Sequence, residues 1–325
     1  MSLFELGDIE LVSGETLPDA RLAYHTFGEL NAAKDNAIVF PTILAAPEQV
    51  LDGWIGEGRA LDPTKYFIIL PGHFGLAPSS APSTATGSAA GPGFPSVSIA
   101  DDVRAQYRLV TEEFGISELK LVLGWSVGGL QVYSWAIQYP EVATRIAPIA
   151  TAPVPPPWTQ LWLKTVVEEP LAGTDTGAGT GLAGVAHASA LTAPPRSFYY
   201  GSVEGWRNLG FGSADEFVSG FWGGFWLPQN PQDSFVQARK ARTSYPGAAD
   251  ESLQTILGRI TARTTGAAMT GDNLFPPDEV KQFVEWIPDS KFSVIDSFYG
   301  HLATFALSEQ DVAAIDGVIR AALDD

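Results

Sequence analysis

At 325 residues and 45% apolar content, the chain has room for one large α/β domain or two average ones and can bury a sizeable core, which excludes a largely disordered protein. Lys and Arg total 19 against 37 Asp and Glu, and the formal charge of −18 repels nucleic acid and anionic membrane surfaces, leaving a small molecule as the expected partner. Cysteine is absent, so disulfides, thiolate nucleophiles and Cys-ligated metals are excluded.

Residues 1–8 place acidic charge where an export signal carries basic charge before a long apolar run. Nowhere does an apolar stretch reach the ~20 residues of a membrane-spanning helix, and a cytoplasmic protein is expected. Short β-rich pieces at 9–12 and 20–24, around turn formers at 13–15 and 17–19, predict an antiparallel sheet edge. Compact apolar runs follow at 37–40, 66–70 and 119–123, and such continuous runs suit strands of a parallel sheet buried on both faces. The Pro-, Ser-, Ala- and Gly-rich tract 77–95 predicts a long, mobile surface loop. Val103, Tyr107, Val110 and Phe114 recur at helical spacing and predict a helix over 100–114, with Asp101 or Asp102 at its cap. A helix over 128–138, ending before Pro140, and a strand over 145–150 continue the alternation of a doubly wound α/β fold.

Composition changes past Ala152. Prolines at 153 and 155–157 stop the alternation, and the residues up to 259 hold Trp158, Trp162, Trp206, Trp222 and Trp226 together with a Gly/Ala/Thr-rich tract at 171–193. This predicts a helical cap over 153–259 inserted in a core made of 1–152 and 260–325. The aromatic run 221–226 is either the core of that cap or a wall of an apolar pocket. Alternation returns with strands at 263–270 and 291–295 and helices at 277–286 and 309–323.

The most informative string is the apolar run 121–123 leading into Gly124-Trp125-Ser126-Val127-Gly128 and then a helix, the strand–G-x-S-x-G–helix arrangement of a nucleophile elbow. So tight a turn forces the serine into a strained backbone and needs glycines beside it. It thrusts the Ser126 hydroxyl above the sheet and aims the N–H of Val127 at the space where an oxyanion develops during acyl transfer. A hydroxyl needs a base. Among His25, His73, His187 and His301, only His301 follows the last strand, as the order Ser, acid, His requires. His25 lies in an early strand and His187 in the cap, while His73 sits at a strand end, either lining the pocket or serving structure. Asp272, after the strand at 263–270, is the expected orienting acid. Asp296 is the competitor, and Asp278 and Glu279 suit the first turn of a helix. The second oxyanion donor is expected from the loop after 37–40, through the N–H of Ile43 or Leu44. Trp125, His73, Phe74, Leu302, Trp222 and Trp226 are the expected pocket residues.

The strings at 17–31, 55–67, 103–106, 124–131 and 272–277 resemble landmarks of the homoserine O-acetyltransferase-like branch of the α/β-hydrolase superfamily. The resemblance spans nearly the whole chain and is weakest across 171–193. It implies the α/β-hydrolase fold, a mostly parallel sheet with helices on both faces and an inserted helical cap, and the triad Ser126, Asp272 and His301. A homodimer through the cap is a further implication. Homoserine acetyltransferases typically carry Asp after the catalytic His, where it helps hold the substrate amine, whereas Leu302 and Ala303 follow His301 here. Trp125 stands where those transferases usually have a small residue. These departures point to a serine acyl hydrolase for an ester or thioester of a largely apolar small molecule. An acyl-CoA-dependent O-acyltransferase is the first alternative, kept open by the basic cluster Arg239, Lys240 and Arg242, which otherwise reads as a solvated helix face. A non-hydrolytic ligand-binding, cyclase or lyase protein is the second. Neither metal nor cofactor is expected, since no ligand cluster or phosphate-binding glycine loop is visible.

Overall fold

The computed structural model describes residues 1–46, 48–172, 179–195, 198–199, 205–248 and 250–324. Its strands are β1 (Ser2–Glu10), β2 (Thr16–Phe27), β3 (Ala37–Val39), β4 (Phe67–Pro71), β5 (Leu121–Trp125), β6 (Arg145–Ile149), β7 (Arg263–Met269) and β8 (Ser290–Ile295). All eight form one sheet in the order β1-β2-β4-β3-β5-β6-β7-β8. β2 pairs antiparallel with β1 and with β4, and every other pairing is parallel.

The apolar runs are buried on both faces because side chains alternate across the sheet. Ile38, Ile68, Leu121, Leu123 and Trp125 join one core, whereas Ala37, Val39, Ile69 and Val122 join the other. Helix α1 (Ile99–Arg108) and helix α2 (Ser126–Gln138) cover the second face through Val103, Val132 and Trp135. The C-terminal helix Glu309–Asp324 covers the first through Ile315 and Ile319.

Several local expectations are corrected. The antiparallel edge is longer than 9–12 and 20–24, because register shifts around Gly7 break the alternation that would have marked β1. β5 begins at Leu121 rather than 119, since Leu119 N–H donates to Val142 O and Lys120 N–H to Ala37 O outside the β5 ladder. α1 is capped by Ser98, not by Asp101 or Asp102. Asp101 instead closes a capping box, its carboxylate accepting from Ser98 N–H at 2.9 Å while Asp101 N–H donates to Ser98 Oγ. Tract 77–95 is anchored rather than loose over its first half. Ser79 Oγ and Ser80 Oγ accept from the N–H groups of Ala23 and Arg21, extending the pairing of β2 beyond its contact with β4.

Between β6 and β7 the described residues carry helices and no strand. Residues 173–178 of the Gly/Ala/Thr-rich tract lie outside the described residues, and Gly179–Thr192 is a helix. The aromatic run 221–226 packs largely on itself and its surroundings: Phe221 lies against Phe217 and Phe305, and Phe225 against Phe305 and Trp226. Among the described residues, no helix is long and apolar enough to cross a membrane.

Candidate active site

Ser126 occupies the junction of β5 and α2 with φ +53°, a left-handed conformation that a side-chain-bearing residue adopts at a cost of about 1–3 kcal/mol. The glycines around it make the turn possible. A Cβ on Gly124 would lie 2.9 Å from the Gly128 backbone, and one on Gly128 would lie 2.5 Å from the Pro41 carbonyl. The turn is tied to the end of β6, because Ser126 N–H donates to Ala150 O at 3.1 Å and Thr151 Oγ1 donates to Ser126 O at 2.8 Å.

Asp272 and His301 come from the loops after β7 and β8 and meet Ser126 above the carboxyl ends of the strands. Asp272 Oδ1 accepts the N–H groups of Leu274 and Phe275, each at 2.8 Å, which fixes the carboxyl plane. Its Oδ2 lies 2.8 Å from His301 Nδ1. That nitrogen therefore carries the ring hydrogen, leaving Nε2 to accept from the Ser126 hydroxyl at 3.1 Å. Asp272 and His301 are buried, and the Phe275 ring lies nearly parallel to the imidazole at 5.6 Å. The competing acids lie elsewhere. Asp296 is exposed and accepts from Thr270 Oγ1, and Asp278 and Glu279 occupy the first turn of the helix Pro277–Glu285. His25 is on β2, and the exposed His187 ring faces its own helix at Ala183 O.

The model of the α/β hydrolase fold family matches residues 37–305. The chain belongs to that family. It is 35% identical over 323 residues to an ethyl acetate hydrolase of Pseudomonas veronii, covering 97% of this chain and 93% of the relative. With a homoserine O-acetyltransferase of Moorella thermoacetica it shares 30% identity over 347 residues, covering 94% and 92%. The solved structure of the acetyl esterase MekB superposes with a TM-score of 0.95 at 33% identity, covering 100% of this chain and 96% of that one. Within the α/β-hydrolase family the chain thus falls in the homoserine O-acetyltransferase-like branch.

Beside Ser126 lies a cavity of about 20 Å³, lined by Leu44, Ser126, Val127, Thr159, Trp162, Leu163, Leu274 and Phe275 among others. Val127 is in the first turn of α2, so its N–H has no intrahelical acceptor. Leu44 lines the cavity and Ile43 does not. None of Trp125, His73, Phe74, Leu302, Trp222 and Trp226 lines it. Trp125 is wholly buried against Phe40 and Trp54, Leu302 is core, and Trp222 and Trp226 are buried among the helices between β6 and β7. The residues that do close the cavity, Thr159, Trp162 and Leu163, follow the proline cluster. Thr159 Oγ1 donates to Leu274 O and Trp162 Nε1 to Thr192 Oγ1, which pins this segment over the Asp272 loop. The prolines at 153–157 mark where the segment starts, but no local pattern shows which of its faces turns toward Ser126.

Of the basic cluster, only Arg239 is exposed as a solvated face requires. Lys240 is fully buried in an ion pair with Asp102 at 2.6 Å, and Arg242 pairs with Glu168. Lys240 Nζ also donates to Phe74 O at 2.6 Å and contacts His73 Nδ1 at 3.1 Å. Burial lowers the Lys240 ammonium and pushes Asp102 up to about 6, each opposed by the attraction of its partner. Burial, then the Lys240 charge, hold His73 down to about 3, so its ring is neutral at pH 7.

Proposed function

We propose that the protein is a serine esterase that cleaves short-chain, acetate-like esters through an acyl-enzyme, with the segment 153–259 acting as a cap over the site. The hydrogen-bonded series Ser126, His301, Asp272 on a nucleophile elbow carries the reading. Attack of Ser126 Oγ on the ester carbonyl forms a C–O bond while His301 Nε2 takes the hydroxyl proton, and Asp272 stabilises the imidazolium. The carbonyl electron pair moves to oxygen, where backbone N–H groups including that of Val127 receive it. Collapse breaks the bond to the leaving oxygen, which takes the proton from His301 and departs as the alcohol. Water then attacks the acyl-Ser126 carbonyl, again deprotonated by His301, and the carboxylic acid leaves as Ser126 recovers its proton.

The cavity sets the acyl length. About 20 Å³ is little more than the space of one water, so a methyl group enters while longer chains must displace Trp162, Leu163 or Leu274. The ethyl acetate hydrolase and acetyl esterase relatives support acetate esters as the substrate class. Two observations weigh against acetyl-CoA-dependent transfer. Leu302 is buried and apolar, offering nothing to a substrate amine, and of the three basic residues Lys240 and Arg242 are committed to ion pairs, which leaves only the exposed Arg239 for a polyanionic cofactor. Turnover of 4-nitrophenyl esters from acetate to decanoate tests this. Acetate should be the best substrate with hexanoate at least tenfold slower, and acetyl-CoA consumption that depends on an added alcohol acceptor would favour the transferase instead.

A further inference from the structure

The network of His73, Lys240 and Asp102 has no role in the acid–base steps, yet it ends beside the acyl cavity. His73 Nε2 lies 3.4 Å from the Ile43 carbonyl oxygen. That carbonyl and the Leu44 N–H belong to one planar trans peptide group, so fixing the direction of the carbonyl fixes the N–H in the opposite direction. Leu44 lines the cavity with Ser126 and Val127. On either side, Ala45 N–H donates to Gln237 Oε1 at 2.8 Å, and the Thr42–Ile43 peptide is held through Thr42 O, which accepts from Gln131 Nε2 at 3.4 Å, but Ile43 does not line the cavity. Gln237 and Lys240 stand on the same helix, Pro231–Arg242.

Resting on the esterase reading above, we infer that the Ile43–Leu44 peptide is the second oxyanion donor and that His73 is its positioning residue, held as the Nε2–H tautomer by the Lys240–Asp102 pair. The tautomer follows from the ammonium. Its three hydrogens match three neighbours, Asp102 Oδ2, Phe74 O and His73 Nδ1; Nδ1 also lies 3.2 Å from Phe74 O, but that carbonyl already accepts from the ammonium at 2.6 Å, so Nδ1 offers its lone pair to the charge. The ring hydrogen then sits on Nε2 and donates to Ile43 O. The opposite tautomer would let Nδ1–H donate to Phe74 O, but it would set that N–H against the ammonium at 3.1 Å and a lone pair against the Ile43 carbonyl, both repulsive in a buried site. A helix of the inserted segment thereby sets the geometry of a loop in the core.

The test compares His73→Met, which lacks the donor, with His73→Gln, whose amide N–H can reach the same carbonyl while its oxygen accepts from Lys240. With 4-nitrophenyl acetate, His73→Met should lose about 100-fold in kcat with KM nearly unchanged, the scale of a lost oxyanion donor. A trifluoromethyl ketone, whose adduct places an oxyanion in the same hole, should bind more weakly by a similar factor. His73→Gln should recover most of both, and the pH midpoint of kcat/KM should stay at the wild-type position in each variant. Equal losses in the two variants, or wild-type kcat in His73→Met, would overturn the proposal. Imidazole nitrogen shifts of His73 in the wild-type protein test it without a variant: Nε2–H is expected, and Nδ1–H overturns it. If Ser126→Ala keeps full turnover, the esterase reading fails and this one falls with it. If Ser126→Ala is dead while His73→Met is fully active, only the positioning role fails.

Discussion

Replacing Asp272 by Asn tests whether this carboxylate sets the hydrogen on His301 or merely fills space. The Oδ1 position accepts two backbone N–H groups, from Leu274 and Phe275. In Asp272→Asn the amide oxygen must take that position, because the flipped amide would leave both donors facing another donor at a cost of about 1–3 kcal/mol each. The amide NH₂ then faces His301 Nδ1, where Oδ2 now lies at 2.8 Å. Nδ1 becomes an acceptor, the hydrogen moves to Nε2, and the ring points a donor at the Ser126 hydroxyl it should deprotonate. The size of the loss is that of a wrong tautomer, about 10⁴ in kcat or ~5.4 kcal/mol of barrier, with little change in KM. Hydrolysis of 4-nitrophenyl acetate measures it, alongside near-ultraviolet circular dichroism to verify the fold. A folded Asp272→Asn protein that lost less than tenfold in kcat would refute the reasoning and return Asp296 to consideration.

Three other outcomes follow from the same geometry. Gly128→Ala places a methyl 2.5 Å from the Pro41 carbonyl and should cost about 1–3 kcal/mol of stability in urea titration while lowering kcat; an unchanged midpoint would contradict the tight elbow. Leu163→Ala enlarges the acyl cavity and should raise the butyrate-to-acetate turnover ratio by about tenfold or more, whereas an unaltered chain-length profile would place the acyl group elsewhere. His73 is held at about 3 in the fold against 6.5 when free, so its contribution to stability is complete above pH 6.5 and is lost as pH falls toward 3. The stability difference between wild type and His73→Gln should therefore shift against wild type between pH 7 and 5, by at most ~1.4 kcal/mol per pH unit, and a flat difference would mean that the ring takes up its proton in the folded state.

What was legible in the sequence is what contiguous residues dictate. A buried strand, a Ser between glycines and a following helix leave one backbone path, so Ser126 could be placed from a string of five residues. His301 and Asp272 came from their order after the late strands, a topological constraint that needs no packing detail. The cavity beside Ser126 was not legible, because its walls depend on how the helices between β6 and β7 settle. Trp222 and Trp226 have the composition of a pocket wall, yet they pack among Phe221, Phe225 and their neighbours, while Trp162 and Leu163, outside that aromatic run, close over Ser126. Lys240 shows the same limit. Flanked by Arg239 and Arg242 it reads as solvated, and only the fold reveals Asp102 of α1 as its counter-charge.

The central claim, that Ser126 carries the acyl group, is tested most directly by trapping it. Acid quenching of the protein during turnover of 4-nitrophenyl acetate, followed by peptide mass spectrometry, should reveal an acetyl group on Ser126 that chases off with time and is absent, together with turnover, in Ser126→Ala. Sustained hydrolysis by Ser126→Ala, or a chaseable acetyl group on a different residue, would contradict the account.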